Sequence, residues 1–551
     1  MILASQENIQ KFTKAGIYSD KTLPDYLKQH VAASPDQECF VDPPNRMDLN
    51  GYEPERVTYA EFDRAADATA EALLNLGIGK DDIVMVQLPN TWELAMLYFA
   101  ICRTGAIITP SPVLWRSSEL KHIANLTKAK AIITLKEFNK FNHYDMAKEL
   151  QQTCPDIQHV LTLTEIREMM KGPITGKLDD VKVDANDIFS ICWTSGTEAA
   201  PKGCPLSHNN WAGMASLQGA AGFKAGDTFL TAGPLVNMAS VGTVFIPWIV
   251  YGGKVVLHHP FDPGVFIQQI MAEKVNYTLL VPAVANAIAK HPLVDKFDLS
   301  SLRCITVGSA QPSLIAMQEF KNRWDVETGN TWGQNEGTGI VSGLEDTPEM
   351  NMRVDHFPQF GKPGVNWKSK ASGFVEVKII NPDETELTDV GDVGELVYKG
   401  PGVIAGYFKN PEATNRSFTS DGFFKTGDQF QIRENGYISF YERSKDIVIR
   451  GGYNISSQEI ENYLMSHPKI QEVAVVSMPD KILGEKMCVY VVPMPEEQLV
   501  LEDLTSHMAE LGIAKYKFPE RLEIVDVIPR NPVGKILKSE LRDDIRKKIT
   551  S

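Results

Sequence analysis

Along the first 340 or so positions, apolar residues come in short unbroken runs separated by stretches with helical spacing. Runs at 83–88 (IVMVQL), 131–135 (AIITL), 159–163, 187–193 (DIFSICW), 254–258 (KVVLH), 277–281 (YTLLV) and 303–307 (RCITV) predict buried strands. A strand covered on both faces has no polar side to display. Residues 92–103 carry helical periodicity, and a further helix is expected from Ser207. This alternation predicts parallel sheets with helices on both faces. From about Gly373 the rhythm changes. Short strands in FVEVKII, GELVYKG, FFKTG and GYISFYE, punctuated by Gly, Pro and Asp, predict a small antiparallel or barrel-like unit. Beyond Arg443 the pattern is mixed: a strand at 446–449, a helix from Ser456, strands near 473–476 and 487–492, and a last helix from Lys535. The expected fold is α/β. A large N-terminal domain (1–443) holds two doubly wound α/β subdomains plus a small β-barrel-like subdomain, and a small α+β C-terminal domain (444–551) follows.

Composition narrows the function classes. At about 150 residues per domain, 551 residues make three or four folding units. Lys plus Arg is 55 against 70 Asp plus Glu, a formal charge of −15. Nucleic acid as the main partner and a polybasic membrane anchor are both disfavoured. Seven scattered cysteines without a C-x-x-C pair form neither a disulfide framework nor a zinc site. They read as small buried hydrophobes in a reducing compartment. The first residues lack the basic-then-apolar pattern of a signal peptide. The longest apolar stretch, 240–251, is too short to span a bilayer and contains Pro247. A cytoplasmic location without a transmembrane segment is expected. Peripheral membrane contact stays open, as does the choice between monomer and homodimer.

The densest local chemistry is at 193–203 (WTSGTEAAPKG), after a buried strand. Thr194, Ser195 and Thr197 bring hydroxyls, Gly196 frees backbone N–H groups, and Lys202 brings a cation. Such a loop can cradle phosphate oxygens. Read alone, it could equally be a surface turn. It is not a Walker loop, since Lys202 precedes Gly203 and no hydroxyl follows. Nor do Gly337, Gly339 and Gly343 have dinucleotide-fingerprint spacing.

The loop resembles the phosphate loop of the adenylate-forming enzymes (acyl-CoA synthetases, adenylation domains and luciferases), whose pattern is Y/F-T-S-G-T/S-T-G-x-P-K-G. Glu198 and Ala199 depart from it, standing where the family has Thr or Ser and Gly. Further matches follow in family order. Gly308, Ser309 and Ala310 resemble the segment beside adenine. Residues 332–336 (WGQNE) resemble Y-G-x-T-E. By that resemblance Trp332 stacks on adenine, Gly333, Gln334 and Asn335 line the nucleotide, and Glu336 holds Mg²⁺. Residues 424–428 (FKTGD) resemble Y-x-T/S-G-D, which assigns Asp428 to the ribose hydroxyls. Arg443 resembles a ribose contact and Lys445 falls at the hinge. Gly451 and Gly452 resemble the CoA-tunnel loop. Residues 532–535 (PVGK) make Lys535 the catalytic lysine, with Glu336 and Lys202 as its partners in charge screening. Each match alone has a bland reading as a turn, a surface charge or a local ion pair. Their joint order over about 340 residues carries the resemblance.

The resemblance implies ATP, Mg²⁺ and CoA as co-substrates, with no tightly bound prosthetic group, and a C-terminal domain that rotates between two half-reactions. Residues 233–238 (GPLVNM) match the acid-pocket segment. Amino-acid adenylation domains place Asp where Met238 stands, so an α-amino acid is disfavoured. Asn237 replaces the usual gating residue. The small residues Ala239, Gly242, Gly337 and Thr338 would leave room for a bulky or long apolar acyl group, or are ordinary packing positions. The leading expectation is a carboxylic acid–CoA ligase for a medium- or long-chain fatty acid. Behind it stand an aryl- or alicyclic-acid CoA ligase, a luciferase-like oxygenase or adenylate transferase not using CoA, and a non-catalytic nucleotide-binding protein.

Overall fold

The computed structural model describes all residues except 195–200, 218–220, 444–445, 451–452, 481–482, 512, 514, 531–535 and 551. By compactness the chain divides into two units. One comprises 1–196, 200–376 and 399–418; the other comprises 197–199, 377–398 and 419–551.

The first unit is built on two sheets. In the six-stranded one the order is Gly203–Ser207, Ile188–Trp193, Ile107–Pro110, Ile83–Gln87, Ala131–Thr134 and His159–Thr162. All neighbours are parallel except the first pair. Its inner strands are buried at every position, as their unbroken apolar runs require. The eight-stranded sheet runs Gly337–Ser342, Glu327–Gln334, Cys304–Gly308, Tyr277–Leu280, Thr228–Thr231, Lys254–Leu257, Glu38–Val41 and Arg56–Thr58. It is parallel in the middle, with an antiparallel strand at each edge.

Helices fill the faces of these sheets. Trp92–Arg103 is buried along its whole length. Tyr59–Asn75 starts at a capping box of Thr58 and Glu61. Between them an aromatic cluster joins Phe40, Phe62, Phe99, Phe245 and Trp248, with Phe40 and Trp248 centroids 4.7 Å apart. Phe245 closes a π-helical turn, Val241–Phe245. Pro247, just beyond it, has no N–H to give the carbonyl of Thr243, so regular α-helical bonding is broken there.

In the second unit, Glu376–Ile380, Val393–Lys399, Phe424–Ile432 and Tyr437–Arg443 lie side by side, antiparallel from the second onward. Another sheet pairs Ile470–Asp480 with Gly484–Pro493, and the helices Ser457–Leu464 and Lys538–Thr550 accompany it. All seven cysteines are free and buried, matching their reading as core residues. Among the described residues no helix is long and apolar enough to cross a membrane.

Candidate functional site

Thr194 and Lys202, at the two ends of the segment read as a phosphate loop, meet at a hairpin neck. Strand Ile188–Trp193 leaves the core at Thr194, and the chain returns as the edge strand Gly203–Ser207, with Gly203 opposite Trp193. The sequence led straight to a helix here; the helix starts at His208, after this strand. The Thr194 N–H donates to the Lys202 carbonyl and the Lys202 N–H to Thr194 Oγ1, both at 3.0 Å. These two bonds close the neck. Ser195, Gly196, Thr197, Glu198 and Ala199 lie outside the described residues.

The segment expected to hold magnesium is a hairpin turn. Glu327–Gln334 and Gly337–Ser342 pair antiparallel, and Asn335 and Glu336 are the two residues between them. Asn335, which the resemblance places along the nucleotide, uses its amide at both ends. Nδ2 donates to the Trp193 carbonyl at 2.7 Å and Oδ1 accepts the Met238 N–H at 2.8 Å. It thus ties the hairpin neck at Trp193 to the segment that begins the helix Met238–Ser240.

Glu336 is buried, and its Oε1 accepts the hydroxyl of Tyr407 at 2.7 Å. That phenol oxygen in turn accepts from Lys202 Nζ at 2.9 Å, and the ammonium lies 4.0 Å from the ring centroid. Burial, and next the Glu336 carboxylate, push the Tyr407 hydroxyl far above its usual range, so it remains a donor. The motif reading missed Tyr407. Its partners are 71 and 205 positions away, a separation that no local pattern reveals.

The residues read by resemblance as adenine contacts lie at the end of strand Cys304–Gly308. Gly308 is buried opposite Thr331, and Ser309 and Ala310 are exposed. Ser309 has φ 72°, a left-handed conformation that costs a residue with a Cβ. Trp332 sits in the neighbouring strand with Gly339 directly against it. A Cβ on Gly339 would lie 2.1 Å from Trp332 Cε3. Gly333 is exposed and Gln334 half-buried at the strand end, while Gly337 and Thr338 begin the returning strand.

In the acid-pocket segment, Asn237 is the N-cap of the short helix Met238–Ser240, accepting from the Ser240 N–H. Ala239 follows on that helix and Gly242 on the π turn. The space beside Gly242 is taken: a Cβ there would meet Met238 Sδ at 2.9 Å and Trp211 at 3.4 Å. Gly242 and Gly339 are thus positions where neighbouring side chains pack directly against the backbone.

In the second unit, Asp428 and Arg443 are directly opposed on adjacent strands. Asp428 is buried within a strand, so it is not a turn residue. Gly427, at φ 72°, donates its N–H to Glu395 Oε1 at 2.8 Å and creates the irregularity before Asp428. Lys445, Gly451, Gly452 and Lys535 lie outside the described residues.

The donor set suits a hard cation brought in by a nucleotide. Among the described residues no three His, Cys, Asp or Glu side chains converge on a metal position. Glu336 offers one carboxylate, the kind of share Mg²⁺ takes from a protein when phosphates and water complete its shell.

Lys202 beside the buried Glu336 carboxylate, on a unit built of two α/β sheets, suits an enzyme that handles a polyanion with a metal ion. The chain belongs to the AMP-binding enzyme family, whose model matches residues 27–408. A second model, the AMP-binding enzyme C-terminal domain, matches 459–535. The medium-chain fatty-acid–CoA ligase of Escherichia coli (strain K12) is 30% identical over 560 residues, covering 98% of this chain and 93% of that protein. The 2,3-dihydroxybenzoate–AMP ligase of Bacillus subtilis (strain 168) is 30% identical over 553 residues, covering 98% and 97%. The crystal structure of ATP-bound MatB from Rhodopseudomonas palustris shares the fold, with TM-score 0.81 at 23% identity over 96% of this chain and all of that one. The protein is an adenylate-forming acid ligase that uses ATP on a small-molecule substrate.

Proposed function

We propose that this enzyme is a carboxylic acid–CoA ligase acting on an apolar acid. The observation that carries the nucleotide half is the line from Lys202 through Tyr407 to Glu336. It places one cation and one carboxylate beside the neck of the phosphate loop. In the first half-reaction an oxygen of the acid attacks the α-phosphorus, the bond to the bridging oxygen breaks, and pyrophosphate leaves. Nucleophile and target are both anionic, so the site must offset charge and fix an in-line approach. Lys202 and the hydroxyls of Thr194, Ser195 and Thr197 bind the phosphates, and Lys535 meets the developing charge. Trp332, Gly308, Ser309 and Ala310 bind adenine, while Asp428 and Arg443 orient the ribose. Mg²⁺, when bound through Glu336, supplies charge neutralisation on the phosphate oxygens.

In the second half the CoA sulfur attacks the acyl carbonyl, its proton passes to solvent, and AMP leaves. We place that thiol on the Gly451–Gly452 loop, brought in as 444–551 turns about Lys445. The absence of a carboxylate at Met238 supports an acid without an α-ammonium. The fatty-acid–CoA ligase relative supports an aliphatic acid and CoA. A ring acid is the second reading, favoured by the dihydroxybenzoate–AMP ligase at the same identity.

One assay decides among these. Pyrophosphate release is measured over a panel of aliphatic and aromatic acids, with and without CoA, and the product is identified by mass. The expected outcome is release with apolar acids and a thioester only when CoA is present. Release without thioester would replace CoA by another acceptor. Failure to release pyrophosphate with any acid of the panel would overturn the proposal.

A further inference from the structure

Tyr407 stands between two charges that the proposed function assigns to different partners. Its ring is buried and its hydroxyl is engaged on both sides, donating to Glu336 Oε1 at 2.7 Å and accepting from Lys202 Nζ at 2.9 Å. The loop that carries it is fastened next to both charged residues. The Ile404 N–H donates to the Glu336 carbonyl at 2.9 Å, and the Phe408 N–H to the carbonyl of Gly203, beside Lys202, also at 2.9 Å. The Tyr407 N–H donates to Thr414 Oγ1 at 2.9 Å, on the helix Pro411–Arg416. The phenol is thus held in place by backbone on either side of it.

We propose that Tyr407 is a positioning residue that keeps the Lys202 ammonium and the Glu336 carboxylate from closing on one another. An ammonium resting on a neutral phenol is readily taken by phosphate, because a charge-assisted hydrogen bond outcompetes a neutral one. An ammonium locked on a buried carboxylate is not, since its removal strands an unpaired charge. Tyr407 therefore leaves Lys202 ready for the ATP phosphates and Glu336 ready for Mg²⁺. The inference rests on those two assignments.

The test is a double-mutant cycle read by calorimetry of ATP binding in the absence of metal. Tyr407→Phe keeps the ring and removes the hydroxyl. It should weaken metal-free ATP binding about tenfold, as Lys202 turns to Glu336. Adding Glu336→Gln should restore it, with an effect about tenfold larger in the Tyr407→Phe background than in the wild type. Thr414→Val, which loosens the loop without touching either charge, should show the same coupling at smaller amplitude. In turnover, Tyr407→Phe should raise the KM for ATP and the Mg²⁺ needed for half-maximal rate more than it lowers kcat. A weakening that Glu336→Gln fails to rescue would mark a merely structural tyrosine and overturn the proposal, as would wild-type affinity in Tyr407→Phe. Lys202→Ala is the separate control. If it leaves metal-free ATP binding unchanged, the phosphate assignment of Lys202 fails first and takes this inference with it.

Discussion

At the scale of single residues, the site depends on what small side chains permit. Gly339 has no Cβ because Trp332 occupies that space: the indole would be 2.1 Å away and the Trp332 carbonyl oxygen 2.5 Å. The carbonyl is backbone and cannot swing aside. Gly339→Ala should therefore displace Trp332 or the hairpin that carries Glu336. Overpacking of this kind costs about 1–3 kcal/mol or more. Thermal unfolding should show the loss, and ATP binding should weaken in parallel if Trp332 is the adenine platform. Unchanged ATP affinity in a destabilised variant would remove Trp332 from the nucleotide. Trp332 and Glu336 could be singled out in the sequence because they lie within a short run with a family pattern. Tyr407 and the double use of Asn335 were not legible, because each is defined by partners brought close only by the fold.

At the scale of elements, His208 shows how helices of the first unit are locked together and at what pH they loosen. It opens the helix His208–Leu217, and its Nδ1 accepts the N–H of Leu23, the first residue of Leu23–Ala33. Accepting at Nδ1 requires the neutral ring. Burial holds the group down to about 3, well below its ordinary range. A depressed histidine costs the fold nothing while both states are neutral. Below the unfolded value, near 6.5, the unfolded chain takes up a proton that the folded chain refuses, so stability falls with falling pH. The expected slope from this one residue is about 1.4 kcal/mol per pH unit from roughly pH 6 down to 4. His208→Gln keeps an acceptor and removes the titration. Denaturant unfolding at pH 7.5, 6 and 5 should show wild type losing its advantage over this variant slowly at first and by about 1.2 kcal/mol between pH 6 and 5. Parallel stability curves would show that His208 is protonated when folded. Legibility at this scale followed burial. Fully buried parallel strands such as Ile83–Gln87 and Ala131–Thr134 were visible as apolar runs, and the helix Trp92–Arg103 by its period. Edge strands such as Gly203–Ser207 were hidden: a strand containing glycine and proline at a sheet edge has little apolar pattern to show.

At the scale of the whole molecule, a net charge of −15 accompanies a co-substrate, ATP, that is itself a polyanion. The contradiction disappears if cations are gathered only where phosphate must sit and are delivered in turn. Lys202 is fixed on the sheet hairpin, while the proposed catalytic Lys535 belongs to the segment 444–551 that we take to rotate. A lysine that belongs to only one of two arrangements should matter to only one half-reaction, because a group contributes to a step only by its presence in that transition state. Lys535→Ala is thus expected to lower the rate of pyrophosphate release by two or more orders of magnitude, the loss of about 3 kcal/mol of charge stabilisation. Thioester formation from CoA and supplied acyl-adenylate should fall less than about threefold. A substitution at Lys445 that stiffens the backbone, Lys445→Pro, should show the reverse bias, sparing adenylate formation and slowing thioester formation. Single-turnover measurement of each half with each variant separates the outcomes. Equal losses in both halves for Lys535→Ala would take that lysine out of a step-specific role, and with it the reason for the C-terminal segment to move.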